Sequence, residues 1–256
     1  MAERWERLAD LDPLFVALAH IDHAQGGWDP SEFLESGRAE IGGVFGRLEA
    51  LAVTLPRRDQ ALDFGCGPGR LTQALAERFV VAEGVDISPR MIETANAMNR
   101  RPTGCHFRLL GRSGLSVFED RSFDFVYSNK VLFHMRPGMQ LQAIAEFLRV
   151  TRPGGVVVFG LSVFAPARTA WERFRQRYKT VRRRLINRQN YYYLLRAFGF
   201  RPRWLYRKFG LRPMMPMYTI DEARVAAVLE AGVEVLAVDK ELRRHRMNAR
   251  WIIRVR

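Results

Sequence analysis

Apolar positions along the chain recur with two different periods. From Ser31 to Leu51, residues Phe33, Leu34, Ile41, Val44, Phe45, Leu48 and Leu51 fall mostly three or four apart, the spacing of an amphipathic helix. Glycines 42, 43 and 46 lie inside that stretch and weaken the helix it predicts. Residues 1 to about 58 read as helical on this pattern.

From Ala61 the pattern changes to alternating strands and helices. Ala61–Phe64 is a short apolar strand, ended by the Gly-rich 65–69 stretch. Arg70–Phe79 has helical spacing through Leu71, Ala74, Leu75 and Phe79. Val80–Ile87 predicts a second strand, after which Ser88 can cap a helix and Pro89 suits its first position; that helix runs to about Asn99. His106–Leu110 and Phe123–Ser128 are strands three and four. Met139–Val150 is a helix with Leu141, Ile144, Ala145 and Leu148 on one face. Pro153-Gly154-Gly155 turns the chain into Val156–Gly160, an apolar run suited to a buried parallel strand. Thr219 or Asp221 starts another helix with Val225, Val228 and Leu229 inward and Gly232 as its stop. Val233–Asp239 and Trp251–Val255 read as an antiparallel terminal pair of strands. Strands separated by helices of this length imply an α/β fold, a doubly wound, mainly parallel seven-stranded sheet with an antiparallel last strand.

The charge is unevenly spread. The chain of 256 residues is formally +14, and the segment 165–217 alone holds 15 Lys and Arg against one acid, Glu172, so the remainder sums to zero. Arg outnumbers Lys 37 to 4, as GC-rich codon usage produces, but codon usage does not explain why acids vanish from one segment. Within it Trp171, Phe174, Tyr178, Val181 and Leu185 form one helical stripe against an Arg-rich face. No apolar stretch approaches the roughly 18–20 residues of a membrane span. The alternating charges of Met1–Asp10 do not resemble a signal peptide. Cys66 and Cys105 are the only cysteines, too few for a disulfide framework, and no Cys/His spacing suits zinc. A cytoplasmic location and no metal are the expectations.

Candidate chemistry concentrates in Leu62-Asp63-Phe64-Gly65-Cys66-Gly67-Pro68-Gly69-Arg70, after a strand and before a helix. Glycines 65, 67 and 69 allow a tight turn and let a ligand lie against bare backbone. The spacing is GxGxG, not the GxGxxG of a dinucleotide site, which counts against a nicotinamide oxidoreductase. Seventeen residues past Gly69, Asp86 ends the second strand, where a carboxylate can accept hydrogen bonds from two ribose hydroxyls.

ALDFGCGPGR and EGVDIS resemble the first motif and the acidic second-strand end of class I S-adenosylmethionine-dependent methyltransferases. SFDFVYSNKVLFHM resembles that family's fourth strand and following loop, and LRVTRPGGVVVFG its fifth-strand entry, so the resemblance covers roughly residues 58–256. It implies S-adenosyl-L-methionine as cofactor. Asp63 and the Gly65, Cys66, Gly67, Gly69 and Arg70 turn would hold its methionine part. Asp86 would hold the ribose, with Ile87 beside the adenine. The family's usual acid after strand three is missing from Leu110–Leu115, which leaves the Ser113, Gly114 and Leu115 backbone for adenine. Ser128 and Asn129 would be cofactor-proximal. The resemblance also implies a division into a helical N-terminal extension or lid (1–58), a cofactor-binding half (59–164), a basic helical insertion capping the acceptor (165–218) and a C-terminal helix with a strand pair (219–256).

The implied reaction is in-line displacement of a methyl group from a sulfonium to an oxygen or nitrogen. It rests on positioning and water exclusion and needs no fixed acid–base set. His134, after strand four, is a candidate base or a pocket-lining residue. Ser128-Asn129-Lys130-Val131 lacks the (Asp/Asn)-Pro-Pro-(Tyr/Phe) of planar amine methylation, and no cysteine occupies that loop for pyrimidine carbon-5 chemistry. A small-molecule acceptor is the default. Phe33 and Ser36 in EFLESG are either a lid or a packing helix; Met214, Met215, Met217 and Tyr218 either line a pocket or belong to the core. The basic insertion reads as a solvated cap, as a surface for an acidic acceptor, or as a nucleic-acid or anionic-membrane surface, since Tyr191–Tyr193, Trp204 and Tyr206 interleave with Arg. In that last case a cofactor-binding, methyltransferase-like protein would act through the insertion on RNA or membrane.

Overall fold

The computed structural model describes residues 6, 9, 13–18, 28–111, 114–164, 217–229, 232–243 and 246–256. The chain divides into two compact units, Met1–Phe164 with Met217–Arg256, and Ala165–Pro216; the second, which holds the expected basic helical insertion, its Trp171–Leu185 stripe and Met214 and Met215, lies outside the described residues.

After helix α1 (Pro13–Leu18), the long α2 (Pro30–Ala50) begins where Asp29 accepts hydrogen bonds from the backbone N–H of Ser31 and Glu32, with proline at the first turn. β1 (Gln60–Phe64), α3 (Arg70–Leu75), β2 (Val81–Asp86), α4 (Pro89–Ala97), β3 (Cys105–Leu109) and β4 (Phe123–Ser128) follow, then α5 (Pro137–Val150), β5 (Thr151–Val163), α6 (Glu222–Leu229), β6 (Val233–Arg243) and β7 (Arg246–Val255). Ser88 caps α4 by accepting from Met91 N–H, as expected. The strands form one sheet of order β3-β2-β1-β4-β5-β7-β6. β1 to β5 pair in parallel, while β7 lies antiparallel to both β5 and β6.

Both faces of the sheet are covered, which is why every residue of β4 is buried, Asp124 and Ser128 included. On one face Ile41, Val44, Phe45 and Leu48 of α2 join Leu71 and Leu75 of α3 over Ala61, Phe125, Tyr127 and Val158. On the other, Ile144 and Phe147 of α5 and Val225 and Leu229 of α6 cover Leu62, Val126, Val157 and Phe159. α2 is thus a wall of the core that also holds the glycine turn. Its Gly42, Gly43 and Gly46 meet nothing within 4 Å where a Cβ would stand, so the helix survives them on its apolar stripe.

β5 is longer than its apolar run. It starts at Thr151, paired with Phe123, and the register slips before Phe125 meets Val156. Pro153-Gly154-Gly155 therefore lies within the strand as an irregularity, with Gly154 at φ 80° against the Pro56 ring. No helix among the described residues is long and apolar enough to cross a membrane.

Candidate functional site

The chain leaves β1 through three left-handed glycines, Gly65, Gly67 and Gly69, at φ 78°, 52° and 85°. Two are also closely packed. A Cβ on Gly65 would stand 2.3 Å from Val131 Cγ2, and one on Gly69 would meet the Phe107 ring at 2.5 Å. Gly65 and Cys66 donate their N–H groups to the Val85 carbonyl, at 2.8 and 3.0 Å, so the turn folds towards the end of β2.

Asp86 closes it there. Its Oδ2 accepts from Gly67 N–H at 3.0 Å and its Oδ1 from Ser88 N–H at 2.9 Å. The carboxylate retains acceptor capacity for an outside donor. Burial raises the Asp86 carboxyl above its ordinary value, opposed by the N–H groups of Ser88, Gly67 and Ile87. The N-terminal segment reaches the same corner: Ser88 Oγ donates to Glu6 at 2.6 Å and Arg90 N–H at 3.2 Å. Glu6 had no signal in the sequence.

Asp63 is 1% exposed at the end of β1. Its Oδ2 accepts from Thr72 Oγ at 2.7 Å, whereas Oδ1 has no partner among the described residues. Burial pushes this carboxyl up to about 7. An enclosed carboxylate oxygen without a donor is costly, and a cationic donor would relieve it. Cys66 is a buried side chain within the turn; burial, with Asp86 and Asp63 nearby, raises its thiol well above the ordinary range. Burial likewise pushes the Cys105 thiol up to about 12. Burial thus disfavours the thiolate at both cysteines.

Arg70 follows the turn and is nearly enclosed. It donates to Glu40 of α2 at 2.6 Å and to the Ser36 carbonyl at 3.2 Å. The other Glu40 oxygen accepts from Tyr127 Oη at 2.9 Å and from the Asn129 amide. Burial alone would raise the Glu40 carboxyl, but Arg70 and Asn129 together pull it below the ordinary range. Ser128 donates to the Phe64 carbonyl at 3.1 Å, tying β4 to β1 just before the turn.

Asp63, Gly65, Cys66, Gly67, Gly69, Arg70, Asp86, Ser128 and Asn129 therefore converge at the carboxyl edge of β1, β2 and β4, where the chain crosses from one side of the sheet to the other. Ile87 follows directly, half-buried. Gly114 begins a short 3₁₀ turn at φ 59° with open space at its Cβ position. The Leu115 side chain is buried in the core, and its carbonyl already accepts from Arg149 and Phe118 N–H. Ser113 lies outside the described residues. His134 ends the 3₁₀ turn Leu132–His134, half-buried, its ring 4.5 Å from that of Phe133. The Phe133 carbonyl accepts from Tyr218 N–H, which brings the chain after the insertion beside this turn. Phe33 is fully buried and Ser36 bonds the Phe33 carbonyl, both within the packing of α2. Among the described residues no group of three or more His, Cys, Asp or Glu could hold a metal ion.

Five parallel strands continued by an antiparallel β7 inside β6, with a glycine turn facing a strand-end acid, define the class I, Rossmann-like methyltransferase fold. Residues 62–159 match the methyltransferase domain family. Over those residues the chain carries a methyltransferase domain of the class I, S-adenosylmethionine-dependent type. An uncharacterized methyltransferase of Schizosaccharomyces pombe is 34% identical over 111 residues, 40% of this chain and 39% of that protein. The malonyl-[acyl-carrier protein] O-methyltransferase of Serratia marcescens is 34% identical over 101 residues, 40% of this chain and 37% of its own length. The chain thus spans about two fifths of the length of these relatives. Among solved structures, magnesium protoporphyrin IX methyltransferase from Synechocystis, crystallised with S-adenosylhomocysteine, superposes with a TM-score of 0.54 at 17% identity, over 96% of this chain and 99% of that one. That likeness concerns the fold.

Proposed function

We propose that this chain binds S-adenosylmethionine and moves its methyl group to an oxygen or nitrogen of a small or medium-sized acceptor. The observation that carries the reading is the left-handed Gly65–Gly69 turn held against the Asp86 carboxylate by the Gly67 N–H. The donor set fits the cofactor. Asp63 Oδ1 is a buried acceptor lacking a donor among the described residues, matched to an ammonium group, and Asp86 retains acceptor capacity for ribose hydroxyls. The cofactor, when bound, supplies a methyl on a sulfonium: the sulfur–methyl bond breaks, its electrons stay on sulfur, and an acceptor lone pair forms the new bond.

Gly65, Cys66, Gly67, Gly69 and Arg70 present backbone to the amino-acid end of the cofactor, and Ile87 with Gly114 borders the adenine. Ser128 and Asn129 border the reacting side. His134, in the turn after β4, lines the acceptor side, where a neutral imidazole can take the proton that an oxygen or nitrogen acceptor loses. The chain's contribution to rate is positioning and exclusion of water, since the leaving thioether needs no proton. The O-methyltransferase name of the Serratia relative supports an oxygen acceptor.

Calorimetric titration with S-adenosylhomocysteine tests the reading; a folded protein that shows neither heat nor thermal shift defeats it. Radiolabelled cofactor offered to metabolite extracts then identifies the acceptor.

A further inference from the structure

We propose that Glu40 is a positioning residue that holds the glycine turn from both ends, through Arg70 and through Asn129. The inference rests on the cofactor site proposed above and adds a residue from a helix that carries none of that site's motifs.

Glu40 lies one helical turn past Gly37, where α2 comes so close to α3 that a Cβ would stand 2.3 Å from the Arg70 carbonyl oxygen. This approach puts the Glu40 carboxylate beside the Arg70 guanidinium. One oxygen takes Arg70, whose backbone follows Gly69 directly. The other takes Tyr127, within β4, and Asn129, directly past the end of that strand. Beyond Asn129 the chain turns through Lys130 at φ 61° and sets Val131 against Gly65, where no Cβ fits. Glu40 therefore reaches the far end of the turn through Arg70 and Gly69, and its near end through Asn129, Lys130 and Val131. The Arg70 and Glu40 side chains are only 6% and 18% exposed, so solvent cannot replace the lost partner if either is removed. A carboxylate receiving three donors has little capacity left for a ligand, so its action on the cofactor is indirect.

The test uses Glu40→Gln and Glu40→Ala in the full chain, with two readouts. Hydrogen exchange without ligand is expected to accelerate at least tenfold at residues 65–70 and 129–131 while Val156–Phe159 of β5 stay unchanged. S-adenosylhomocysteine affinity is expected to fall at least tenfold in Glu40→Ala and less in Glu40→Gln, which keeps an acceptor for Tyr127 and Asn129. In a double-mutant cycle, Glu40→Ala with Arg70→Met should lose no more affinity than Glu40→Ala alone. Exchange that is unchanged, or raised equally throughout, overturns the proposal, as does unchanged affinity or full additivity. If Glu40→Ala does not fold, the Gln variant decides by the same exchange pattern. Failure of the unaltered protein to bind S-adenosylhomocysteine would defeat the proposed function, and the exchange readout would still decide the role of Glu40.

Discussion

Replacing Asp63 by Asn probes the cost of enclosing a carboxyl at the end of β1. Burial raises that group from 3.8 to about 7; the Thr72 hydroxyl and Arg70 oppose the rise, while Glu40 and Asp86 add to it. At about 1.4 kcal/mol per pH unit, a rise of roughly 3 units makes ionisation of Asp63 in the folded protein cost about 4 kcal/mol more than in the unfolded chain. Because the folded state binds the proton more tightly, this contribution to stability is complete below about pH 4. It is lost progressively as pH rises through about 7. Between about pH 5 and pH 7.5 the unliganded protein should therefore lose about 2–3 kcal/mol from this one group. Asp63→Asn cannot ionise, so its stability should vary less with pH by that amount, measured by urea unfolding followed through tryptophan fluorescence. A cationic ligand that needs the carboxylate must displace the proton. Calorimetry at pH 7 in two buffers of different ionisation enthalpy should then show release of about half a proton by the unaltered protein and none by the variant. Equal pH slopes for the two proteins, with no proton released on binding, would refute the assignment.

Asp86→Ala should weaken S-adenosylhomocysteine binding by about 1–3 kcal/mol, because ribose donors lose a charged acceptor and Gly67 N–H its cap; calorimetry reads this directly. Gly43→Ala and Gly46→Ala face open space in α2 and should each raise the unfolding free energy by about 0.5–1 kcal/mol in urea titrations, with ligand affinity unchanged. Neutralising Arg182, Arg183 and Arg184 together should leave cofactor affinity intact and alter acceptor binding, whereas equal loss of both would argue against a separate acceptor surface.

Much of the fold was legible because its signals are local. The change from helical spacing to alternating strands and helices, Ser88 before Pro89, and the stop at Gly232 each involve neighbours in the chain. So does the candidate turn, since glycines at 65, 67 and 69 directly after an apolar strand permit a left-handed bend that other residues rarely adopt. The irregular start of β5 was not legible: Pro153-Gly154-Gly155 reads as a turn by composition, yet pairing with β4 on either side keeps it in the sheet. Leu115, expected at the adenine through its backbone, has its side chain in the core and its carbonyl already engaged by Arg149.

The order of elements, the side-chain-free bend after β1 and the acid ending β2 are set by local sequence, because periodicity and backbone freedom depend on residues a few positions apart. Tertiary structure alone decided the electrostatics. Glu40 meets Arg70, Tyr127 and Asn129 across separations of 30, 87 and 89 residues, and Ser88 meets Glu6 across 82. The state of Asp63 depends on how completely α3 and the surrounding strands exclude water from it. Such contacts leave no periodic trace, since a hydrogen bond requires only that two groups meet in space once the layers have packed.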